Sequence, residues 1–518
     1  MFLSAAGLGL ARLAVCLWLF SVAACAQLQP RPETAVALAL PAGEDATLDR
    51  AVAPAEEQHP RESGFRLVFD GREAFAVRAQ TARMAQRSLD VQTYIWHADL
   101  TGLFFAYELL QAADRGVRVR MLIDDIDARA KNAALASMAA HPNIEVRLFN
   151  PFASRSGGLR FISEGVRSFG RINRRMHNKS WIADNHLAVV GGRNIGDEYF
   201  SASEEVNFVD LDFAMIGPVV RDASASFDKY WNSPSAYPIE VLDPEAVTLS
   251  ALDELRSSLA RRSKEAENSR YAETLRNDDA LKRMLEGDWS LVWAANYRFV
   301  SDDPLKVGMK EQDAQSSHVG AALLQLAQSV QRDMTVISPY FVPGDSGTRL
   351  LTDTATGGRS VRVLTNSLAA NDVAAVHGGY SKYRKSLLAG GVQLWELKPL
   401  ANQGTDSSLF GASGASLHTK AMFVDGTMLF VGSYNLDPRS TWLNCEQGVL
   451  VENPALTLQL DAIFARQVAD GRAWEVTLAD DALEWSDGRE SFDSEPQASA
   501  GRRFQAWLTR VLGLEAQL

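Results

Sequence analysis

Cysteine is scarce in this 518-residue chain: Cys16, Cys25 and Cys445 are all there are, and the first two fall within the opening 25 positions. A disulfide framework is thereby excluded, and Cys445 reads as a small buried residue. Positive charge is also short, with 52 Lys and Arg against 64 Asp and Glu and a formal net charge of −12. A sequence-blind nucleic-acid binder normally presents a basic surface, so no nucleic-acid partner is expected, although a local basic cleft is still open. The N-terminal apolar run over 13–24 carries no acid, and it falls short of the roughly 20 residues of a comfortable transmembrane span.

That run, preceded by Arg12, has the form of a secretory signal over 1–25. It ends Val22-Ala23-Ala24-Cys25, which resembles a bacterial lipobox and would make Cys25 the lipidated N-terminus of the mature protein. The other readings are an ordinary signal cleaved near Ala24 or Ala26, or an uncleaved anchor. Ala26 is not a retention residue of the usual sorting pattern, so an envelope location facing the periplasm, the outer membrane included, is expected. Residues 26–63 are rich in Pro, Ala and Glu and read as a flexible tether.

A length of 518 residues favours two cores over one. Helix and strand patterns alternate from residue 64: helix over 72–87, strand over 89–96, helix over 103–113, strand over 117–123, helix over 130–140 and strand over 144–149. This is βαβ order, and it returns in the strands over 334–341, 361–364 and 392–397. The expected organisation is one half over 64–240, a connecting helical segment over 241–300, a second half over 301–475 and a tail over 476–518. In the tail, Phe504, Trp507, Leu508, Val511 and Leu512 recur at helical spacing. Docking on the protein and insertion at a membrane interface are the two readings of that stripe.

The halves share a motif. His177-x-Lys179-x4-Asp184-x6-Gly191-Gly192-x-Asn194 returns with identical spacing as His418-x-Lys420-x4-Asp425-x6-Gly432-Ser433-x-Asn435. His418 lies 241 positions after His177, and Asn435 lies 241 after Asn194. In an extended segment a His and a Lys two apart project to one side, so packing about a pseudo-twofold axis would bring two imidazoles and two ammonium groups into one pocket. Two ammonium groups suit the spread charge of a phosphoryl group in transfer, so no metal or cofactor is expected. Asn194 and Asn435, after tight Gly turns, can donate further hydrogen bonds. One imidazole can attack phosphorus, while the other protonates the leaving alkoxide and later deprotonates the incoming hydroxyl.

Asp184 and Asp425 each follow their His by an odd separation, which points them away from the pocket and toward fixing the turn beyond the strand. Glu446, 28 residues after His418, is the better candidate to orient an imidazole; in the first half the same offset gives Glu205, but Asp212, in a more strand-like stretch, is preferred. His97 and His377 follow strands where a substrate could be met, while His59, His141, His186 and His318 have no supporting context. Arg171, Arg174 and Arg175 form a basic run before His177, read either as a solvated face or as an attraction for lipid phosphate.

The motif pair, with Tyr94-Ile95-Trp96, Arg174 to Lys179, Asn194 to Asp197, Ser338 to Phe341 and Ser433 to Ser440, resembles the phospholipase D superfamily, and within it bacterial cardiolipin synthases of the C type. The resemblance covers nearly the whole chain from Gly64. It implies an α/β fold of two pseudo-twofold-related αβαβα sandwich halves sharing one active site. It also implies a phosphohistidine mechanism with His177 as nucleophile and His418 as general acid and base. Gly192 departs from the commoner Ser, so one hydroxyl donor is missing from the first half. The implied function is phosphatidyl transfer that makes cardiolipin from phosphatidylglycerol and a second phospholipid, phosphatidylglycerol or phosphatidylethanolamine. The competing readings are hydrolysis to phosphatidic acid, a secreted nuclease and a non-catalytic lipid-binding protein. Expected partners are phospholipids, a membrane surface and, as in some C-type enzymes, a small helper protein; the duplication suits a monomer.

Overall fold

The strand and helix patterns resolve, in a computed structural model, into two sheets related by the repeat. Residues 28, 30–44, 46–128, 132–153, 168–278, 289–308, 318–401, 414–469 and 471–512 are described. The signal-like segment, with Cys16 and Cys25, lies outside them.

The first half contributes β1 (Ser63–Val68), β2 (Ser88–Thr93), β3 (Arg118–Asp124), β4 (Ile144–Phe149), β5 (Ser180–Ala183), β6 (Leu187–Gly191), the short β7 (Phe208–Val209), β8 (Asp212–Ile216) and β9 (Ala236–Pro238). The chain continues through β10 (Val292–Ala294), β11 (Tyr297–Ser301), β12 (Asp333–Ile337), β13 (Ser360–Asn366), β14 (Gln393–Leu397), β15 (Leu400–Ala401) and β16 (Gly414–Leu417). It closes with β17 (Ala421–Val424), β18 (Met428–Gly432), β19 (Gln447–Glu452), β20 (Ala473–Ala479), β21 (Ala482–Ser486) and β22 (Ser491–Phe492).

The nine-stranded sheet runs β10-β1-β8-β6-β5-β2-β3-β4-β9, and the ten-stranded sheet runs β11-β19-β18-β17-β12-β13-β14-β20-β21-β22. The stretch β8-β6-β5-β2-β3-β4 of one matches β19-β18-β17-β12-β13-β14 of the other, so the duplication extends from motif to topology. In each, three strands are parallel because crossover helices separate them in sequence. The motif strands pair antiparallel beside them, Val91 opposite Trp181 and Val336 opposite Met422.

A shared core lies between the sheets. Phe65, Ile182, Val190 and Phe213 meet Ile337, Phe423, Val431 and Val449 there, with Phe227, Trp231, Leu460 and Phe464 from the helices Pro218–Trp231 and Pro454–Val468. Separate cores fill the outer face of each sheet. Burying this much apolar surface between the halves makes each depend on the other for its inner face.

Three differences from the sequence reading concern the connections. The stretch expected to be a flexible tether holds the helix Thr47–Gln58, whose Leu48 and Val52 are buried in the first half's core. Before it, Ala37 and Ala39 donate backbone hydrogen bonds to Asn232 and Asp228. Apolar residues spaced four apart found a surface to pack against, which composition alone does not reveal. The connecting segment is helical over Leu249–Glu267 and Arg270–Arg276, as its polarity suggested, and then supplies an edge strand to each sheet, β10 and β11. The second half does not stop at 475, because β20 to β22 extend its sheet and only then does the helix Ala500–Leu512 begin.

Candidate active site

The two histidines sit where the chain leaves its own sheet to reach the other half. Met176 forms a parallel bridge with Cys445. His177 N–H donates to the Cys445 carbonyl and Cys445 N–H to that of Arg175, both at 2.8 Å. The symmetric crossing pairs β16 with β7, and His418 N–H donates to the Val209 carbonyl at 2.8 Å. Each His-x-Lys segment therefore precedes its strand, β5 or β17, instead of lying within it.

These crossings deliver a carboxylate from each half to the imidazole of the other. His177 Nδ1 lies 2.9 Å from Glu446 Oε2, and His418 Nδ1 lies 2.6 Å from Asp210 Oδ2. Both carboxylates are fully buried. A carboxylate on Nδ1 fixes the tautomer that carries its proton there and leaves Nε2 as the free base. Glu446 is held in turn by the hydroxyls of Ser433, at 2.5 Å, and Ser440, at 2.9 Å. Around His177 the Tyr94 ring stands edge-on at 5.0 Å, and Tyr199 stands edge-on to His418 at 5.2 Å.

Lys179 and Lys420 are both buried, and each ammonium donates to the carbonyl of its own histidine, at 2.7 and 2.5 Å. Burial drives Lys179 well below its ordinary value, with Glu446 opposing and Lys420 adding repulsion. Burial also lowers Lys420, to about 8. The His177 ring is pushed down to about 4 by burial, against the pull of Glu446, and His418 is lowered by burial and by Lys420. Burial alone would raise Asp210 and Glu446, yet the facing imidazoles and lysines hold both below the usual carboxylate range. Each group feels at least one charge from the opposite half, which is what one shared pocket requires. An anion entering it would meet two cations that lack their ordinary hydration.

Other residues singled out from the sequence fall in different places. Asp212 makes no contact with an imidazole: it is buried between Arg78, at 2.9 Å, and Arg193, at 3.2 Å. Asp210, two residues earlier, takes the role expected of Asp212, because Val209 is the residue bridged by the His418 segment. Glu205 is exposed, and its backbone N–H donates to Ser203 Oγ. Asp184 accepts from the backbone N–H groups of Gln86, Arg87 and Ser88, and Asp425 from those of Gln331, Arg332 and Asp333. Both sit at the far end of the motif strand with positive φ, 50° and 55°, and strap down the start of the neighbouring strand instead of facing the pocket. Asn194 donates to Tyr199 Oη at 2.8 Å and accepts from Ile95 N–H, while Asn435 N–H donates to Ser440 Oγ.

The basic run is turned inward. Arg174 donates to the Lys306 carbonyl, Arg175 pairs with buried Asp124, and Arg171 donates to Asn150 and Pro151, so neither a solvated face nor a phosphate-attracting one forms. His377 belongs to a buried cluster with Arg384 and Glu495, and His97 lies 3.1 Å from Glu198. The absent hydroxyl at Gly192 also has a structural reason: a Cβ there would stand 2.2 Å from Asp210 Oδ1.

The chain is similar to known proteins. The family described as "Cardiolipin synthase, PLD-like domain" matches residues 79–231 and 323–468. Cardiolipin synthase C of Escherichia coli K12 is 40% identical over 477 residues, covering 90% of this chain and 99% of that protein. Cardiolipin synthase A of Pseudomonas syringae is 25% identical over 77% of this chain and 67% of its own length. The solved structure of phosphatidylserine synthase from Haemophilus influenzae superposes with a TM-score of 0.56 over 91% of this chain and all of that one, at 13% identity, which shows the shared fold. With its two motif-bearing halves and their crossed carboxylates, the chain belongs to the phospholipase D superfamily, as a phosphatidyltransferase-type enzyme of the cardiolipin synthase C kind.

Proposed function

We propose that this enzyme makes cardiolipin by moving a phosphatidyl group from one phospholipid to the hydroxyl of phosphatidylglycerol, through a phosphohistidine on His177. The observation that carries the reading is the pair of imidazoles, each with Nδ1 on a buried carboxylate of the opposite half.

In the first step His177 Nε2 attacks phosphorus and forms a P–N bond. The P–O bond to the leaving headgroup breaks, and His418 gives that alkoxide its proton. Glu446 balances the charge that develops on His177. In the second step His418, now neutral, takes the proton of the glycerol hydroxyl of phosphatidylglycerol, whose oxygen attacks phosphorus as the P–N bond breaks. Lys179 and Lys420 stabilise the phosphoryl oxygens in both steps. No metal or cofactor takes part. A second phosphatidylglycerol or phosphatidylethanolamine serves as donor, and the resemblance to C-type synthases favours the latter. The enzyme works as a monomer at the bacterial envelope membrane, lipid-anchored through Cys25 on the periplasmic side, and a small helper protein assists it.

The test is a lipid assay on membranes from cells expressing the parent or His177→Ala, with labelled phosphatidylglycerol, with and without phosphatidylethanolamine. Labelled cardiolipin that disappears in the variant is expected. Phosphatidic acid alone would replace transfer by hydrolysis, and no lipid turnover by the parent would overturn the reading.

A further inference from the structure

The helix Ala500–Leu512 is docked by its narrow side only. Ala506 and Thr509 are buried, and the Ala506 backbone lies so close to Gly378 that a Cβ there would stand 2.4 Å from the Ala506 carbonyl. Gly378 belongs to the helix Ala374–Ser381, and Ala506 packs with Leu368 and Ala374. Arg502 donates to the Leu368 carbonyl, and Arg503 to that of Glu495. Glu495 is pinned by Arg384 and His377, which ties the root of the helix to the second half. The helix is therefore firmly seated, with the opposite face left uncovered by the described residues.

That face is apolar. Phe504 is 60% exposed, Trp507 49%, Leu508 38%, Val511 59% and Leu512 58%. A protein of net charge −12 would be expected to border such a patch with both signs, yet 497–512 contains Arg502, Arg503 and Arg510 and no acidic residue. A contiguous apolar stripe with aromatic residues, flanked by the exposed Arg503 and Arg510, suits the plane of an anionic bilayer, where the apolar side chains enter the acyl boundary and these two guanidinium groups meet lipid phosphates. The segment that carries Leu368 leads on to the pocket: exposed Val373 precedes the helix Ala374–Ser381, and its neighbour Asp372 accepts from Tyr340 Oη at 2.7 Å and acts electrostatically on Lys420.

We propose that the helix Ala500–Leu512 seats the catalytic body on the surface of a bilayer containing anionic phospholipid, and so presents lipid to the pocket beside it. This rests on the reading that the substrates are membrane lipids.

The experiment uses the full chain on phosphatidylcholine vesicles carrying a photoreactive phosphatidylglycerol, with adducts mapped by mass spectrometry. Adducts within 500–512 are expected for the parent and for His177→Ala, and their loss in the double variant Phe504→Asp, Val511→Asp. Because the mapping needs no turnover, it decides the docking even if the proposed reaction fails. A parallel assay compares bilayer lipid with monomeric short-chain lipid. The double variant should lose at least about tenfold on bilayers and less than about twofold on monomers, since one apolar side chain leaving water is worth about a factor of ten. Absence of adducts in 500–512 would overturn the proposal, as would equal loss on both substrates, which would make the helix merely structural. Crosslinking of these residues to a protein instead of lipid in native membranes would overturn it too.

Discussion

Replacing Glu446 by Gln keeps the shape of the side chain and removes the charge that faces His177. The parent carboxylate accepts from His177 Nδ1 at 2.9 Å and from the hydroxyls of Ser433 and Ser440, so it has no reason to move. A buried charge-assisted hydrogen bond of this kind is worth about 1.5–3 kcal/mol. The amide also loses control of the tautomer, since its NH2 can turn toward the ring and leave the Nε2 lone pair protonated. In the serine protease triad, the corresponding carboxylate-to-amide change costs about 10,000-fold. A loss of about 100- to 10,000-fold in kcat, or roughly 3–5 kcal/mol, is expected here. Asp210→Asn should cost a similar amount with natural lipid, but for a different reason, because it disables His418. The assay is turnover of a natural phospholipid and of an analogue whose leaving group needs no proton, with folding checked by near-ultraviolet circular dichroism. The analogue should restore phosphoenzyme formation in Asp210→Asn and leave Glu446→Gln slow. Losses below tenfold, or rescue of Glu446→Gln instead, would refute the crossed pairing as the source of the two roles.

Gly192→Ser restores the residue that the second half has at Ser433, yet it should abolish most activity by displacing Asp210 from His418, since its Cβ would stand 2.2 Å from Oδ1; activity equal to the parent would show that the carboxylate has room to shift. Asp184→Ala releases three backbone N–H groups and should lower unfolding free energy by about 2–4 kcal/mol while the folded enzyme keeps its kcat, which denaturant titration and active-site-normalised turnover separate. The kcat/KM profile should rise through the acidic value of His177, about 4, and fall through that of His418, held below its ordinary 6.5 by burial and Lys420; in Asp210→Asn the falling limb should move to lower pH, because the charge that raises His418 is gone. Asp437 is raised by burial from 3.8 to about 7, the reverse of the usual case for a paired acid. The folded state then binds its proton more readily, so its contribution to stability is full below about pH 4 and is lost as pH rises to about 7. Asp437→Asn should gain on the parent across that window in urea titrations, and a constant difference would contradict the assignment.

Much of this is legible in the sequence, because the candidate reacting groups are carried by a repeat of identical spacing. The spacing of His177, Lys179, Asn194 and their partners 241 residues on is a local property of sequence, and βαβ alternation with short connections determines topology. The odd offset of Asp184 and Asp425 from their histidines also told correctly that they face away. What was missed depends on contact between the halves. Glu446 lies 28 residues after His418 and Asp210 lies 33 after His177, so five extra residues in the first half defeat a fixed offset. The bridge that selects Asp210 over Asp212 joins Val209 to the other half, which no periodicity reports. One signal was available: Gly192, lacking a side chain beside the turn, marks room for the shorter acid. The helix Thr47–Gln58 was hidden by Pro54 and an alanine-rich composition, and its burial of Leu48 and Val52 comes from tertiary packing.

The most direct measurement is to mix the full-length enzyme with phosphatidylglycerol and phosphatidylethanolamine, each in turn labelled in the phosphatidyl group, quench within the first turnover under alkaline conditions that spare phosphohistidine, and map the label. The prediction is a phosphatidyl adduct on His177 that vanishes in His177→Ala and accumulates in Asp210→Asn when the analogue donor is used. An adduct on His418, or cardiolipin formed with no adduct on either histidine, would contradict a phosphohistidine mechanism centred on His177.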